Sequence, residues 1–498
     1  MARSRSSVLS SILLFLTLPS LTGAVINPTL DVKVDRNPSY KPNGPAAYAQ
    51  ALRKWGAPVP VELEKALAVM STPPGHGGTG DIAVDSVLQD REYLSRVGVG
   101  TPPQWLWLDL DTGSADLWMY TSETREATPS NRTVFKIEES TTAQRIENGS
   151  WSIAYGDGSS AYGTLYHDTV TLGPNSSLTV LNSTIESALS TSASLSSDPI
   201  LAGILGLSCS LNSNASPKQP AFLSVLLSQL GEPVFTVDLK HYSSEFEAEG
   251  AYTFGYTDKG RVLEGTDIWY TPLFDASKFW EVSYTGMHVG GQQEGHRIGG
   301  DGWDTGSPSE SNSSSESDPD LDDEDGSDSE PDPPRAIIDT GTTLILVTPD
   351  KVKAYYDAVP GAQKGAFGGL WTFPCQLNST SPSGEGGHHA GGEGWNMTAD
   401  MHGKGTGDKG GHLPPLIITF PPNEITSTPF IAKIPGAYLN YSTMWDDPES
   451  CMGGLQEWPS DDFGIFGAVF LKTVYAVFDV GQGRVGFAPK DLGESGIW

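Results

Sequence analysis

Cysteine is scarce, with three residues in a chain of 498. That excludes a small disulfide scaffold, which needs a dense cysteine framework in place of a large core. Positive charge is also scarce: 30 Lys+Arg stand against 61 Asp+Glu, for a formal charge of -31. A surface this acidic repels phosphate, so nucleic acid is excluded as a partner. No apolar run is long enough to cross a bilayer, and stable membrane insertion is not expected. Large apolar side chains are not lacking. Hydrophobic residues make up 37% of the chain and 13 residues are Trp, which excludes a wholly disordered protein. At roughly 150 residues per domain the length suggests two to three domains.

The charge is uneven. Residues 1–80 hold eight basic and four acidic groups, a net +4, while residues 301–334 hold 13 acids and no Lys or Arg. At the start, Arg3 and Arg5 precede an apolar run from Val8 to Leu18 and the small residues Thr22-Gly23-Ala24. That order is the order of a secretory signal, assigned to residues 1–24, and it predicts a secreted, extracellular protein. The chain closes at Trp498 without the apolar tail that a lipid-anchor signal needs, so a soluble mature protein is expected. Nine N-x-S/T sequons, among them Asn148, Asn182, Asn214 and Asn440, are then candidate glycan acceptors. Cys375 and Cys451 flank one late region and are read as a bridge. Closing a loop of about 76 residues is worth roughly 4 kcal/mol in chain entropy. Cys209 follows an apolar run and reads as a buried free thiol, with no His in a motif to activate it.

Residues 25–80 differ in texture from the rest. They carry two stretches of helical composition, Ala46–Trp55 and Val61–Met70, before a Pro-Pro-Gly-His-Gly-Gly linker at 73–78. From about Tyr93 the pattern turns to short alternating strands with Gly-rich turns, such as Trp105–Leu110, Gly163–Leu172, Val234–Leu239 and Trp280–Val289. Val474–Val480 and Arg484–Ala488 read as a hairpin across Gly-Gln-Gly. Two segments, 299–334 and 378–412, are rich in small, polar and charged residues and read as disordered surface insertions. In the first, Asp323, Asp325 and Gly326 have calcium-loop spacing, but Leu321 stands at the first ligand position. In the second, His388, His389, His402 and His412 are irregularly spaced. Neither is read as a metal site, and no cofactor is expected.

One short motif occurs twice. Asp111-Thr112-Gly113-Ser114 follows the apolar strand ending at Leu110, and Asp339-Thr340-Gly341-Thr342-Thr343 follows Ala336-Ile337-Ile338. Each copy holds a carboxylate at a strand end, with a hydroxyl one residue and three residues later. Each also has a downstream partner, Gly203-Ile204-Leu205-Gly206 for the first and Gly464-Ile465-Phe466-Gly467 for the second. An apolar strand ending in Gly suits packing against an Asp loop. The arrangement is an internal repeat and suggests two homologous lobes. If two such lobes brought these carboxyls together at their interface, both could not ionise cheaply, and they would share a proton and titrate as one pair.

These residues resemble the pepsin-like aspartic proteases, especially the secreted fungal ones, over most of residues 90–490. Further matching pieces are Ser152-Ile153-Ala154-Tyr155-Gly156-Asp157-Gly158-Ser159, Asp116-Leu117-Trp118, Phe279-Trp280-Glu281, Cys451-Met452-Gly453-Gly454 and Val477-Phe478-Asp479. The resemblance implies an all-β, bilobal fold with two pseudo-symmetric β-rich lobes, at 81–270 and 271–498, and a cleft between them. It implies that Asp111 and Asp339 are the catalytic dyad of an aspartic-type endopeptidase acting on extended polypeptides. Thr112 and Thr340 would lock the two loops together, and Ser114 and Thr342 would hold the outer carboxylate oxygens. Tyr155 would close a flap over the substrate above Trp118. Gly156 and Asp157 would meet the peptide from the flap, and Gly113, Gly341 and Thr343 from below. Asp157 would also accept Lys before the cut. Residues 25–80 resemble the family's propeptides, so a basic prosegment covering an acidic cleft as an intramolecular inhibitor is implied. A monomer made as a zymogen follows. Two positions depart from the family pattern: Ala202 before Gly-Ile-Leu-Gly, and Ala468 after Ile-Phe-Gly. The alternative is a non-catalytic peptide- or glycan-binding protein on the same scaffold.

Overall fold

The computed structural model describes residues 30–36, 43–70, 93–125, 132–154, 160–173, 178–192, 200–241, 250–274, 277–290, 297–298, 333–365, 369–375, 413–444, 446–460 and 462–493. The expected signal at 1–24 falls outside them, as do almost all of the two expected insertions.

Alternation of apolar and polar residues builds the strands. In β3 (Gln104–Asp111), Leu106, Leu108 and Leu110 are buried while Trp105, Trp107 and Asp109 are half-buried on the other face. The other strands of the first half are β2 (Tyr93–Val99), β4 (Leu117–Tyr120), β5 (Gln144–Ala154), β6 (Ser160–Leu172), β7 (Thr179–Thr191), β8 (Gly203–Gly206), β9 (Val234–Asp238) and β10 (Gly250–Phe254). They join one 13-stranded sheet. The early strand β1 (Leu30–Arg36) lies inside that sheet, antiparallel to β10 on one side and to β2 on the other.

The second half repeats the plan with smaller sheets. Arg335–Ile338 runs parallel to Gly464–Phe466, as β3 runs parallel to β8 with Asp111 opposite Gly206. Both Asp-Thr-Gly loops are therefore backed by their Gly-ending partner strands. The C-terminal hairpin, Val474–Asp479 with Arg484–Pro489, pairs onto β9 and ties the halves into one sheet. The architecture is the bilobal pepsin-like fold. The expected strand Trp280–Val289 is two strands. Glu281–Ser283 pairs with Arg335–Ile338, and Gly286–Val289 pairs with Leu416–Phe420, so the run changes sheet part-way.

Two helices occupy the expected helical stretches, α1 (Gly44–Lys54) and α2 (Val61–Met70). Asn43 caps α1 by accepting from Ala46 N at 3.1 Å, and Pro45 sits in its first turn. Ala47, Tyr48, Ala51 and Leu52 form its buried face. They pack with Leu344, Leu346, Tyr441, Met452 and Ile465 of the second half. The Tyr48 hydroxyl donates to Glu457 O at 2.8 Å. Cys375 and Cys451 are bonded across strands that already pair, while Cys209 is a half-buried free thiol. Of the sequons, Asn148, Asn182 and Asn214 are exposed and Asn440 is half-buried.

Candidate active site

Asp111 closes β3, and Asp339 follows directly on Arg335–Ile338. Both carboxyl groups are buried, at 2% and 0% exposure. Their supports are related by the internal repeat. Gly113 N donates to Asp111 Oδ1 at 2.8 Å and Ser114 Oγ to Asp111 Oδ2 at 2.7 Å. Gly341 N donates to Asp339 Oδ1 at 3.0 Å, and the Thr342 hydroxyl donates to Asp339 Oδ2. Glycine is required at both loops. A Cβ on Gly113 would collide with the Asp339 carboxylate, and one on Gly341 with that of Asp111.

Two threonines cross-link the loops. Thr112 N donates to Thr340 Oγ1 at 2.9 Å, and Thr340 N to Thr112 Oγ1 at 3.0 Å. The Thr112 hydroxyl donates to Ile338 O at 2.8 Å and the Thr340 hydroxyl to Leu110 O at 2.6 Å. All four bonds are buried, and each contributes about 1 kcal/mol net while leaving no orphaned donor. Tyr252 OH also donates to Leu110 O, at 3.0 Å, and Trp280 Nε1 donates to Leu207 O at 2.9 Å. The dyad thus stands on strand ends that hold one another from both sides.

A cation sits on the pair. Lys54, the last residue of α1, donates from Nζ to Asp111 Oδ1 at 2.7 Å and to Asp339 Oδ1 and Oδ2 at 2.9 Å each. Burial pushes the Asp111 carboxyl up, but Lys54 and hydrogen bonds from Asp339, Lys54 and Ser114 outweigh it and hold the group below the ordinary carboxylate range. Burial also raises Asp339. Lys54 opposes that, the Asp111 charge adds to it, and the result is about 6. Burial lowers the Lys54 ammonium, but the charges of Asp111 and Asp339 and their hydrogen bonds outweigh it and hold the group above the ordinary lysine range. The next residue, Trp55, donates from Nε1 to Thr342 Oγ1 at 3.3 Å and packs edge-on to Phe279 and Phe463, with centroids 5.0 and 5.9 Å away.

A third acid stands beside the dyad. Asp109 lies two residues before Asp111 in β3 and lines a crevice with Gln50, Lys54, Tyr93, Thr343 and Ala468. Burial, then the Asp111 charge, pushes its carboxyl well up. Neither Lys54 nor Asp109 stands out in the sequence. Lys54 is one of six basic residues in 25–80, and Asp109 reads as part of a strand.

Trp118 is buried and stacks on Trp151 at 6.2 Å. Tyr155, Gly156 and Asp157 lie outside the described residues; the flanking strands β5 and β6 pair up to Ala154 and Ser160. Ala202 and Ala468 are buried. Ala202 N donates to Trp107 O and Ala468 N to Thr342 O, each at 2.8 Å, so both bind the Asp-loop frame through the backbone.

The family profile described as eukaryotic aspartyl protease matches residues 92–309 and 424–490. The chain belongs to that family. Among aspartyl protease relatives, endothiapepsin of Cryphonectria parasitica is 32% identical over 461 residues, covering 91% of this chain and 89% of its own. Aspergillopepsin-1 of Aspergillus fumigatus is 32% identical over 449 residues, covering 90% and 88%. Penicillopepsin-3 of Penicillium janthinellum is 31% identical, covering 94% of both. The solved aspartic proteinase from Irpex lacteus shares the fold, with a TM-score of 0.54 over 81% of this chain and 96% of that one, at 22% identity. The protein is therefore an aspartic-type endopeptidase. The reading as a non-catalytic binding protein gives way to that membership. Among the described residues no helix is long and apolar enough to cross a membrane.

Proposed function

We propose that this chain is the zymogen of a secreted acid endopeptidase, with Asp111 and Asp339 as its dyad and residues 25–80 as an inhibitory prosegment. The observation that carries this reading is Lys54 Nζ bonded to both carboxylates from the end of α1. A substrate carbonyl and the attacking water need that same space.

With Lys54 gone, the two carboxyls share one proton. The ionised member takes a proton from a water as its oxygen attacks the scissile carbonyl carbon, and the neutral member donates to the carbonyl oxygen. The tetrahedral intermediate collapses as the protonated member passes its proton to the leaving nitrogen and a hydroxyl of the intermediate returns its own proton to the other member, which breaks the C–N bond, re-forms a carbonyl and restores the singly protonated dyad. Ser114, Thr342, Gly113 and Gly341 fix the carboxylates so that no reorganisation is needed during the step. Tyr155, Gly156 and Asp157 are assigned to the substrate by the family resemblance, as is Thr343, and Trp118 is assigned by it to a place beneath Tyr155. The seat of Trp55 against Phe279 and Phe463 supports a preference for large apolar side chains.

Acid releases the lock. The Asp111 carboxyl is held low in the folded chain, so its pairing with Lys54 stabilises above the ordinary carboxylate range and is lost as pH falls through the lowered value. The test is a pepstatin-sensitive assay on acid-treated full chain. Cleavage that vanishes in Asp111→Asn is expected. No activity between about pH 2 and about pH 6 after removal of the prosegment would overturn the reading.

A further inference from the structure

The molecule holds a second pair of buried carboxyls, away from the dyad. Glu186 lies on β7 at 0% exposure, and Asp116 lies in the loop between Asp111 and β4 at 1%. Asp116 already has two donors: Asn214 N reaches its Oδ1 and Asn214 Nδ2 its Oδ2, both at 2.7 Å. For Glu186, neither carboxyl oxygen has a partner in full hydrogen-bonding geometry among the described residues, and only the Ser213 hydroxyl is near enough to favour its ionised form as a donor. Its carboxyl meets that of Asp116 side chain to side chain, with the Ser213 hydroxyl alongside. Two acceptors in contact repel unless one carries a proton. Asp116 is occupied by NH groups, so the proton belongs on Glu186, as an O–H donated to Asp116.

The surroundings leave little other compensation. Facing Glu186 on neighbouring elements are Trp118 of β4 and Leu165 of β6, which carry no charge. The helix Phe222–Leu227 packs on β7 and holds no titratable side chain. The charged groups acting on Glu186 are Asp116 and, more weakly, Lys218, whose Nζ is committed to Ser213 O at 3.2 Å. Burial first, then Asp116, pushes the Glu186 carboxyl well above the usual range.

We propose that a protonated Glu186, held against Asp116, confines the native first lobe, and with it the Asp111 loop, to acid. The link to the dyad is short. Asp116 closes the loop that Asp111 opens, and that loop is clamped to the strand behind it: Leu207 N donates to Asp111 O at 2.7 Å, Ser208 N to Ser114 O at 2.8 Å and Gly206 N to Asp116 O at 2.9 Å. Loss of the Glu186 proton to solvent puts two anions against each other in a dry site, and relief requires this loop or β7 to move. The sign follows from linkage. A carboxyl raised in the folded state stabilises fully below its unfolded value and loses that contribution as pH rises through the raised one.

Thermal or urea unfolding of the full chain, kept intact with pepstatin, from acid to neutral pH tests this. The wild-type folding equilibrium is expected to fall with pH more steeply than that of Glu186→Gln, by up to tenfold per pH unit above the unfolded carboxyl range, because one titrating proton is removed. The Gln amide donates to Asp116 at every pH. Glu186→Leu is the second variant: it removes the same titrating proton and leaves the Asn214 donors on Asp116 in place, so its curve is flattened too, and it decides if Glu186→Gln does not fold. After incubation at neutral pH, return to acid should recover more activity from Glu186→Gln than from wild type. Unfolding curves of either folded variant that run parallel to wild type across this range overturn the proposal.

Discussion

In the zymogen we propose, Lys54 bars both carboxylates with a single atom. Its neighbour Arg53 turns instead to Glu64 of α2, at 2.8 Å. Replacing Lys54 with Met removes one partner of a buried charge cluster, a change that costs on the order of 3–5 kcal/mol elsewhere. We expect Lys54→Met to leave the dyad uncovered at higher pH, so that the pH of half-activation rises, read by the appearance of mature product after timed acidification. An unchanged activation pH would count against Lys54 as the lock. At this scale the juxtaposition of Asp111 and Asp339, the proposed dyad, was legible because Asp-Thr-Gly occurs twice, each time after an apolar strand. Lys54 was not, because which basic residue reaches the carboxylates depends on where α1 docks. Asp109 was hidden for a related reason: the spacing puts it on the Asp111 face of β3, but only the crevice against α1 gives that face its burial.

Among elements, β1 is the instructive case. Its sequence Leu-Asp-Val-Lys-Val-Asp-Arg alternates apolar and charged residues, which is a strand signature. Reading 25–80 for helices alone passed over it. Its place between β10 and β2 is a long-range matter. Asp31 fastens the strand by accepting from Thr253 Oγ1, Tyr256 OH and Arg261 NH2 at 3.0, 3.0 and 3.1 Å. A chain beginning at residue 81 lacks this strand and leaves the facing edges of β10 and β2 unpaired while it folds. We expect it to refold in clearly lower yield than the full chain under identical dilution from denaturant, with the difference appearing as aggregate. Equal yields would show that β1 is dispensable for folding. The helices α1 and α2 were legible from composition and capping, and their docking face was not.

For the whole molecule, the acidity met at the outset divides into parts. The first 80 residues carry a net +4 within a total of -31, so the body that follows carries -35. At neutral pH that body repels itself, and salt screens the repulsion over a Debye length of about 8–10 Å at physiological strength. We expect the melting temperature at pH 7 to rise by a few degrees from low to physiological salt, and to respond much less near pH 4, where many carboxyls are neutral. A salt response as large in acid as at neutrality would assign the effect to something other than carboxylate repulsion. The sequence by itself determined the features that rest on local chemistry: the order of charge, apolar run and small residues at the start, the repeated Asp-Thr-Gly loops with their Gly-ending partners, and the alternation that makes strands. Tertiary structure alone decided which lysine covers the dyad, where β1 enters the sheet, and that Glu186 shares its site with Asp116. Those outcomes depend on desolvation and on contacts between distant positions, such as the 57 and 285 residues that separate Lys54 from its two aspartates, and no local pattern encodes them.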